Sequence, residues 1–185
     1  MKHFLLALTL CTPVLFSSNT MATQVNLDIS DETVHFAIAS KPAKKKLNIS
    51  ASLLHHEDDG NVYSIGAFVQ SKIGNSQGLY GALGARLYHL DADGPDGYGL
   101  GLGGAVGFKI PAVQGLSVQA EGYYAPKVLT FDDVERFIDA SVRIKYQALE
   151  QGSIYVGFRK QEIDIKDGGK RDIDKGVHVG IALEF

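Results

Sequence analysis

Cysteine is nearly missing from this chain: Cys11 is the only one in 185 residues. It lies in an amino-terminal segment with a positive start at Lys2, an apolar run from Phe4 to Leu10 that continues through Val14, Leu15 and Phe16, and a polar stretch ending in Thr20-Met21-Ala22. That order reads as a secretory signal peptide spanning residues 1–22 and cleaved after Ala22. A lipid-modified cysteine usually follows a small residue, whereas Leu10 precedes Cys11, so the lipoprotein reading is set aside. Once the signal is removed, the mature chain can form no disulfide and depends on packing and hydrogen bonding. After residue 22 no apolar stretch approaches the roughly 20 residues that a membrane helix requires. A net charge of -3 and a pI near 6.0 supply no electrostatic footprint for nucleic acid. If the remaining residues 23–185 enter a membrane, they do so as a closed barrel, because an open sheet edge leaves backbone groups unsatisfied in lipid.

Alternation is what the chain does have. From residue 24 onward apolar residues recur at every second position, the period of a strand with one greasy face, and no stretch follows a helical period better. Two short runs come first, Val25-Leu27-Ile29 and Val34-Phe36-Ile38, with a parity change at Ser30-Asp31-Glu32 of the kind a tight turn produces. After the basic linker Lys41 to Lys46, eight further runs follow, from Leu47-Ile49-Ala51-Leu53 to Val177-Val179-Ile181-Leu183-Phe185. The expected fold is all-β, an antiparallel transmembrane β-barrel of about ten strands; an eight-stranded wall with the amino-terminal hairpin outside it is the alternative.

The links between runs alternate in character. Gly74 to Gly78, Pro111 to Gly115 and Leu149 to Gly152 are short, while His55 to Asn61, Asp91 to Gly97, Lys127 to Asp133 and Lys166 to Asp172 are expected to be longer charged loops. Short turns at one rim and longer loops at the other are the habit of outer-membrane barrels, whose short rim is periplasmic. On the outward face an aromatic girdle is expected from Tyr63, Tyr98 and Tyr124 beside the longer loops, and from Phe108, Tyr146 and Phe185 beside the short turns or the carboxyl end. Ten residues separate Tyr98 from Phe108, which at about 3.3 Å per residue and a tilt near 40° spans roughly 25 Å, the height of the apolar band. A soluble lipocalin-like barrel would instead turn its apolar residues inward.

The opposite face is expected to hold a lumen charge network of Arg86, Lys109, Glu121, Asp139, Arg143, Lys145, Arg159 and Glu184, with Tyr80, Tyr88, Tyr123 and Gln119. A barrel of about 8 to 10 strands has little interior room, so charges at this density should pair and close the lumen. A narrow channel for small solutes is the functional alternative. Gly99, Gly101, Gly103 and Gly107 fall on this face and would leave space for long Arg and Lys side chains. The run Gly99 to Gly104 also fits the dinucleotide pattern GxGxxG, but no helix follows and strand alternation continues through it.

His55-His56-Glu57-Asp58-Asp59-Gly60 is the densest set of possible metal ligands. Neighbouring residues on a strand face opposite ways, so a solvated acidic loop is the default and no metal or cofactor is assigned. Divalent-cation bridging from this loop and from Asp91 to Asp96 to lipopolysaccharide phosphates is the runner-up. An outer-membrane enzyme acting on lipid or peptide needs a nucleophile with His and acid; neither His89 near Asp91 nor His178 has a nucleophile motif beside it, so no catalytic residue is expected.

The run His55 to Val62, the segment Glu121-Gly122-Tyr123-Tyr124-Ala125-Pro126 and the ending Asp164 to Phe185 together resemble the YfaZ family of outer-membrane proteins. Lys44-Lys45-Lys46 and the paired histidines depart from the family pattern. The resemblance implies an outer-membrane barrel and carries over no activity, substrate or catalytic residue. A terminal Phe185 on the last strand likewise resembles the assembly signal of such barrels. The expected protein is thus a monomer in the bacterial outer membrane with a structural or surface-interaction role. Its expected partners are outer-membrane lipid, lipopolysaccharide and, through the last strand, the barrel-assembly machinery.

Overall fold

The computed structural model describes residues 21–42, 47–75, 78–91, 96–166 and 168–185. Runs of alternating β-branched or aromatic and polar residues become antiparallel strands, and no α-helix occurs among the described residues. In chain order they are β1 (Met21–Ile29), β2 (Thr33–Pro42), β3 (Leu47–His56), β4 (Gly60–Lys72), β5 (Leu79–Asp91), β6 (Asp96–Lys109), β7 (Leu116–Ala125), β8 (Thr130–Asp132), β9 (Val134–Gln147), β10 (Gly152–Ile165) and β11 (Gly169–Glu184). Each strand of the wall pairs with its neighbours, β7 pairs with β9, and β11 returns to β1 to close a ten-stranded barrel. The amino-terminal hairpin β1–β2 therefore belongs to the wall.

Closure is fixed by the register Gln24↔Glu184 through Ile29↔Val179. At its end the Thr23 and Phe185 backbones exchange hydrogen bonds of 3.0 and 2.9 Å. Both ends of the described chain thus lie at one rim, here the terminal rim, with the β4–β5, β6–β7 and β9–β10 links of six, six and four residues. The signal segment 1–20 and the linker 43–46 lie outside the described residues, as do 92–95.

The outward face is the apolar one. Leu83 is 77% exposed, Leu102 55% and Ile154 54%, whereas Tyr155, beside Ile154, is 5% exposed. A soluble barrel would have the reverse arrangement, because so large a continuous apolar surface is not stable against water.

At the distal rim, opposite the chain ends, the expectation of longer loops is corrected. The β3–β4 and β10–β11 links are each only three residues, and Lys170 to Asp172 are paired strand residues. Length comes from strands instead. β1 stops pairing with β11 at Ile29↔Val179, yet β11 continues against β10 as far as Ile165↔Gly169. The outward rows of this hairpin change from Val156↔Val179 and Phe158↔Val177 to Lys160↔Lys175, Glu162↔Asp172 and Asp164↔Lys170. From Phe158 to the end of β10 the hairpin rises roughly 15 to 20 Å beyond the apolar band. The Lys127 to Asp133 link holds a 3-10 turn (Lys127–Leu129) and the three-residue β8, which lies outside the wall and pairs with the start of β6 at Gly97 to Gly99.

Leu102 stands mid-strand on the outward face, opposite Ala85 and Tyr124. Leu102→Arg should lower stability by about 2 to 4 kcal/mol in reversible urea unfolding in lipid vesicles. A change near zero would mean that this face does not meet lipid.

Candidate functional site

The interior is the only described region where charged side chains are brought together under burial, and it is layered. Nearest the distal rim lies an apolar cluster of Leu54, Val62, Tyr88, Leu90, Tyr123, Ala125, Val134, Phe137, Ile163 and Ile173. Leu54 is 1% exposed, and Ile163 and Ile173 are fully buried. This layer adds apolar side chains to an interior for which the sequence led us to expect charges, tyrosines and a glutamine. It arises in some measure from a β-bulge: the register slips between Gln161 and Glu162, so Ile173 has no cross-strand partner and turns inward with Asp174. The hairpin β10–β11 thereby lays Ile163 and Ile173 over the mouth, and Arg171 Nε donates to Asp59 of the β3–β4 turn at 2.8 Å.

Below this layer are two arginine clusters. Arg86 donates to Glu121 and to Asp139, each at 2.9 Å, and Tyr88 donates to Asp139 at 2.8 Å. The guanidinium also lies 4.2 Å from the centroid of the Tyr123 ring. The second cluster centres on Arg159, which donates to Asp28 at 2.8 Å, to Asp174, and to Thr33 at 3.3 Å. Tyr155 donates to Asp28 at 2.8 Å, and His35 Nδ1 lies 3.0 Å from the same carboxylate. Arg159 thus ties the base of the projecting hairpin to the β1–β2 hairpin.

The remaining expected network residues take other places. Lys145 and Glu184 form a separate pair at 3.4 Å toward the terminal rim. Lys109 is exposed near that rim, outside both clusters. Arg143 forms no ion pair among the described residues; its guanidinium lies 5.5 Å from the Tyr155 ring centroid. Each cluster joins one arginine to two carboxylates, four acids to two guanidinium groups in all, and Arg143 offsets part of that excess at longer range. Asp28 and Asp174 were missed in the sequence. Asp28 had a usable signal, since it alternates with Leu27 and Ile29, whereas Asp174 falls beside the bulge.

Room for these groups comes from the register. Tyr80 pairs across the strands with Gly107, Arg86 with Gly66 and Gly101, Tyr155 with Gly180, and His178 with Gly157. A Cβ on Gly107 would lie 2.1 Å from the Tyr80 ring, and one on Gly180 would lie 2.5 Å from Tyr155. The glycine lane of β6 therefore houses tyrosine rings more than the long cations expected there. Inward Gly84 and Gln119, on the terminal-rim side of Arg86 and Glu121, are half-buried, whereas Asn26, Asn48 and Ser153 in that half are buried.

Tyr63, Tyr98, Phe108, Tyr124, Tyr146 and Phe185 all point outward. His89 stacks between Tyr63 and Tyr98, with ring centroids 5.8 and 4.5 Å away. The histidine-acid loop separates as the strand period demands. His55 meets Asn61 at 2.9 Å, while buried His56 accepts from the Asp58 and Asp59 backbone N–H groups through Nδ1. No cluster able to hold a metal ion occurs among the described residues.

Arg159→Leu would leave Asp28 and Asp174 buried without their cation. It should lower stability by about 3 to 5 kcal/mol, whereas Lys109→Leu should change it by less than about 0.5 kcal/mol, both read from vesicle unfolding midpoints. Equal effects of the two substitutions would remove the clusters from any special role.

Comparison with known proteins agrees with this architecture. A solved chain from work on the in-meso crystallisation of membrane proteins aligns with a TM-score of 0.50 at 9% identity, covering 89% of this chain and 83% of that one. The outer membrane protein YfaZ of Escherichia coli (strain K12) is 25% identical over 173 residues, 93% of each chain. The family described as YfaZ precursor matches residues 1–185. This chain belongs to the YfaZ family of outer-membrane β-barrel proteins.

Proposed function

We propose that this protein is a non-enzymatic outer-membrane barrel with a closed lumen and a structural or surface-interaction role. The observation that carries the closed lumen is the apolar layer across the distal mouth, stacked on the Arg86 and Arg159 clusters. A hydrated ion crossing the barrel would have to push through both desolvated ion clusters and then an apolar constriction, and both steps are unfavourable. The histidines favour no catalytic role. His89 is stacked in the outward aromatic row, His56 is engaged by backbone, and His178 is buried against Tyr155.

In this reading the terminal rim is periplasmic and the β10–β11 hairpin stands outside the cell, where its charged outward rows meet lipid headgroups and lipopolysaccharide. The signal is removed after Ala22, so the mature chain starts at Thr23, whose backbone pairs with Phe185. That pairing places the last strand at the closing seam, which suits recognition of Phe185 by assembly machinery before β1 docks. The barrel works as a monomer.

A narrow solute channel is the second reading, favoured by half-buried inward residues such as Gly84 and Gln119 toward the terminal rim. Planar-bilayer recording decides between them. Refolded wild-type protein should give no unitary conductance, while Phe137→Ala combined with Ile163→Ala and Arg159→Ser should give discrete openings. Reproducible conductance from the wild type would overturn the closed lumen.

A further inference from the structure

The lipid-facing wall is not evenly convex. Across β9, β10, β11 and β1 it carries a groove of about 630 Å³ with an almost wholly apolar lining. Its floor is the cross-strand rows Ile154↔Ile181 and Val156↔Val179, with Ile144 on one flank and Leu27 on the other. A dent in a lipid-facing wall forfeits dispersion contacts unless something shaped to it fills it. The same two floor strands continue upward through Phe158↔Val177 to Lys160↔Lys175. Two ammonium groups directly opposite one another on a sheet repel, and this pair lies one outward row beyond the apolar band.

The acids nearby satisfy the lysines from above only. Lys160 donates to Glu162 at 2.6 Å and lies 3.7 Å from Asp172, which also stands 3.4 Å from Lys175 and so bridges the pair. An ammonium has three donors, so each lysine keeps capacity on the side facing the groove. Among the described residues of the outward patch, Arg136, Lys160, Lys170 and Lys175 stand against Glu162, Asp164 and Asp172, four cations to three anions. Each of these acids already holds a cation, which favours an anionic headgroup over a divalent ion.

We propose that the groove and the lysine pair form a binding site for one phosphorylated lipid of the outer leaflet, with an acyl chain between Ile144 and Leu27 and a phosphate against Lys160 and Lys175. The proposal deepens the surface-interaction reading and rests on its orientation, because only an outward hairpin places the lysines among outer-leaflet phosphates.

Native mass spectrometry of the refolded full barrel in detergent, titrated with diphosphoryl lipid A, tests it. One lipid A should be retained, and Lys160→Gln with Lys175→Gln should weaken retention at least tenfold. Filling the groove with Val156→Trp, or with the milder Val179→Phe if that barrel does not fold, should weaken it similarly. Lys109→Gln at the other rim should leave it unchanged. Folding of each variant is read from heat-modifiable gel mobility. Equal retention by the double lysine variant, equal retention of dephosphorylated lipid, or a protein dimer in place of the lipid complex would overturn the site. A preference for phosphatidylglycerol over lipid A would overturn the outer-leaflet assignment and the orientation beneath it, while the lumen recordings would stand independently.

Discussion

Within a bilayer there is no water to satisfy a free strand edge, so the ladder between β1 and β11 is the interaction on which the rest depends. Closing it forces alternate residues into two environments that share nothing. Ile29, Val179 and Ile181 must suit hydrocarbon, while Asp28, Gly180 and His178 must suit a narrow interior. The same ladder sets the slant of the distal rim. Because β1 ends at Ile29 while β11 runs on past Val179, the β10–β11 hairpin overtops its neighbour across the seam. The seam therefore sets a lower strand end beside a higher one.

The interior is governed by volume as much as by charge. A ten-stranded barrel cannot hold a large side chain on every inward position. Here several of the bulky groups face a glycine across the ladder: Tyr80 against Gly107, Tyr155 against Gly180, His178 against Gly157. The glycine gives up its own packing so that a ring on the next strand can occupy the space a Cβ would take. Rings placed this way then serve the charges, since Tyr88 and Tyr155 each donate to a carboxylate that an arginine also holds. Glycines that weaken a strand in isolation thus make the ion clusters fit.

Strand count, inward or outward sense and the identity of the lipid face were legible because a period of two survives burial, exposure and membrane insertion alike. What was not legible follows from departures from that period. Ile173 sits beside Asp174, and only the bulge shows that both turn inward. Lys170 to Asp172 looked like loop because strands inside lipid tolerate few outward charges, a rule that lapses once a strand rises clear of the bilayer. The short β8 has too few residues to display alternation. Arg86, Glu121 and Asp139 could be placed on one face, but which of them meet depends on the barrel's curvature, which spacing alone does not carry. Arg143, alike in sequence, is left beside a ring.

The order of the interior layers has its own logic. An ion pair gains strength where water is kept away, and it becomes a liability if it is only half satisfied there. The apolar layer of Leu54, Leu90, Phe137, Ile163 and Ile173 lies between the two arginine clusters and the distal mouth, shielding them from that side. The layer can hold its position because polar contacts anchor the hairpin that carries some of it: Arg171 to Asp59 above, and Arg159 to Asp28 and Thr33 below. Each layer depends on the other, since the cap protects the pairs and the pairs hold the cap down. Loss of either should loosen both, which is the behaviour of one cooperative unit and not of a side-chain filling added to a finished barrel.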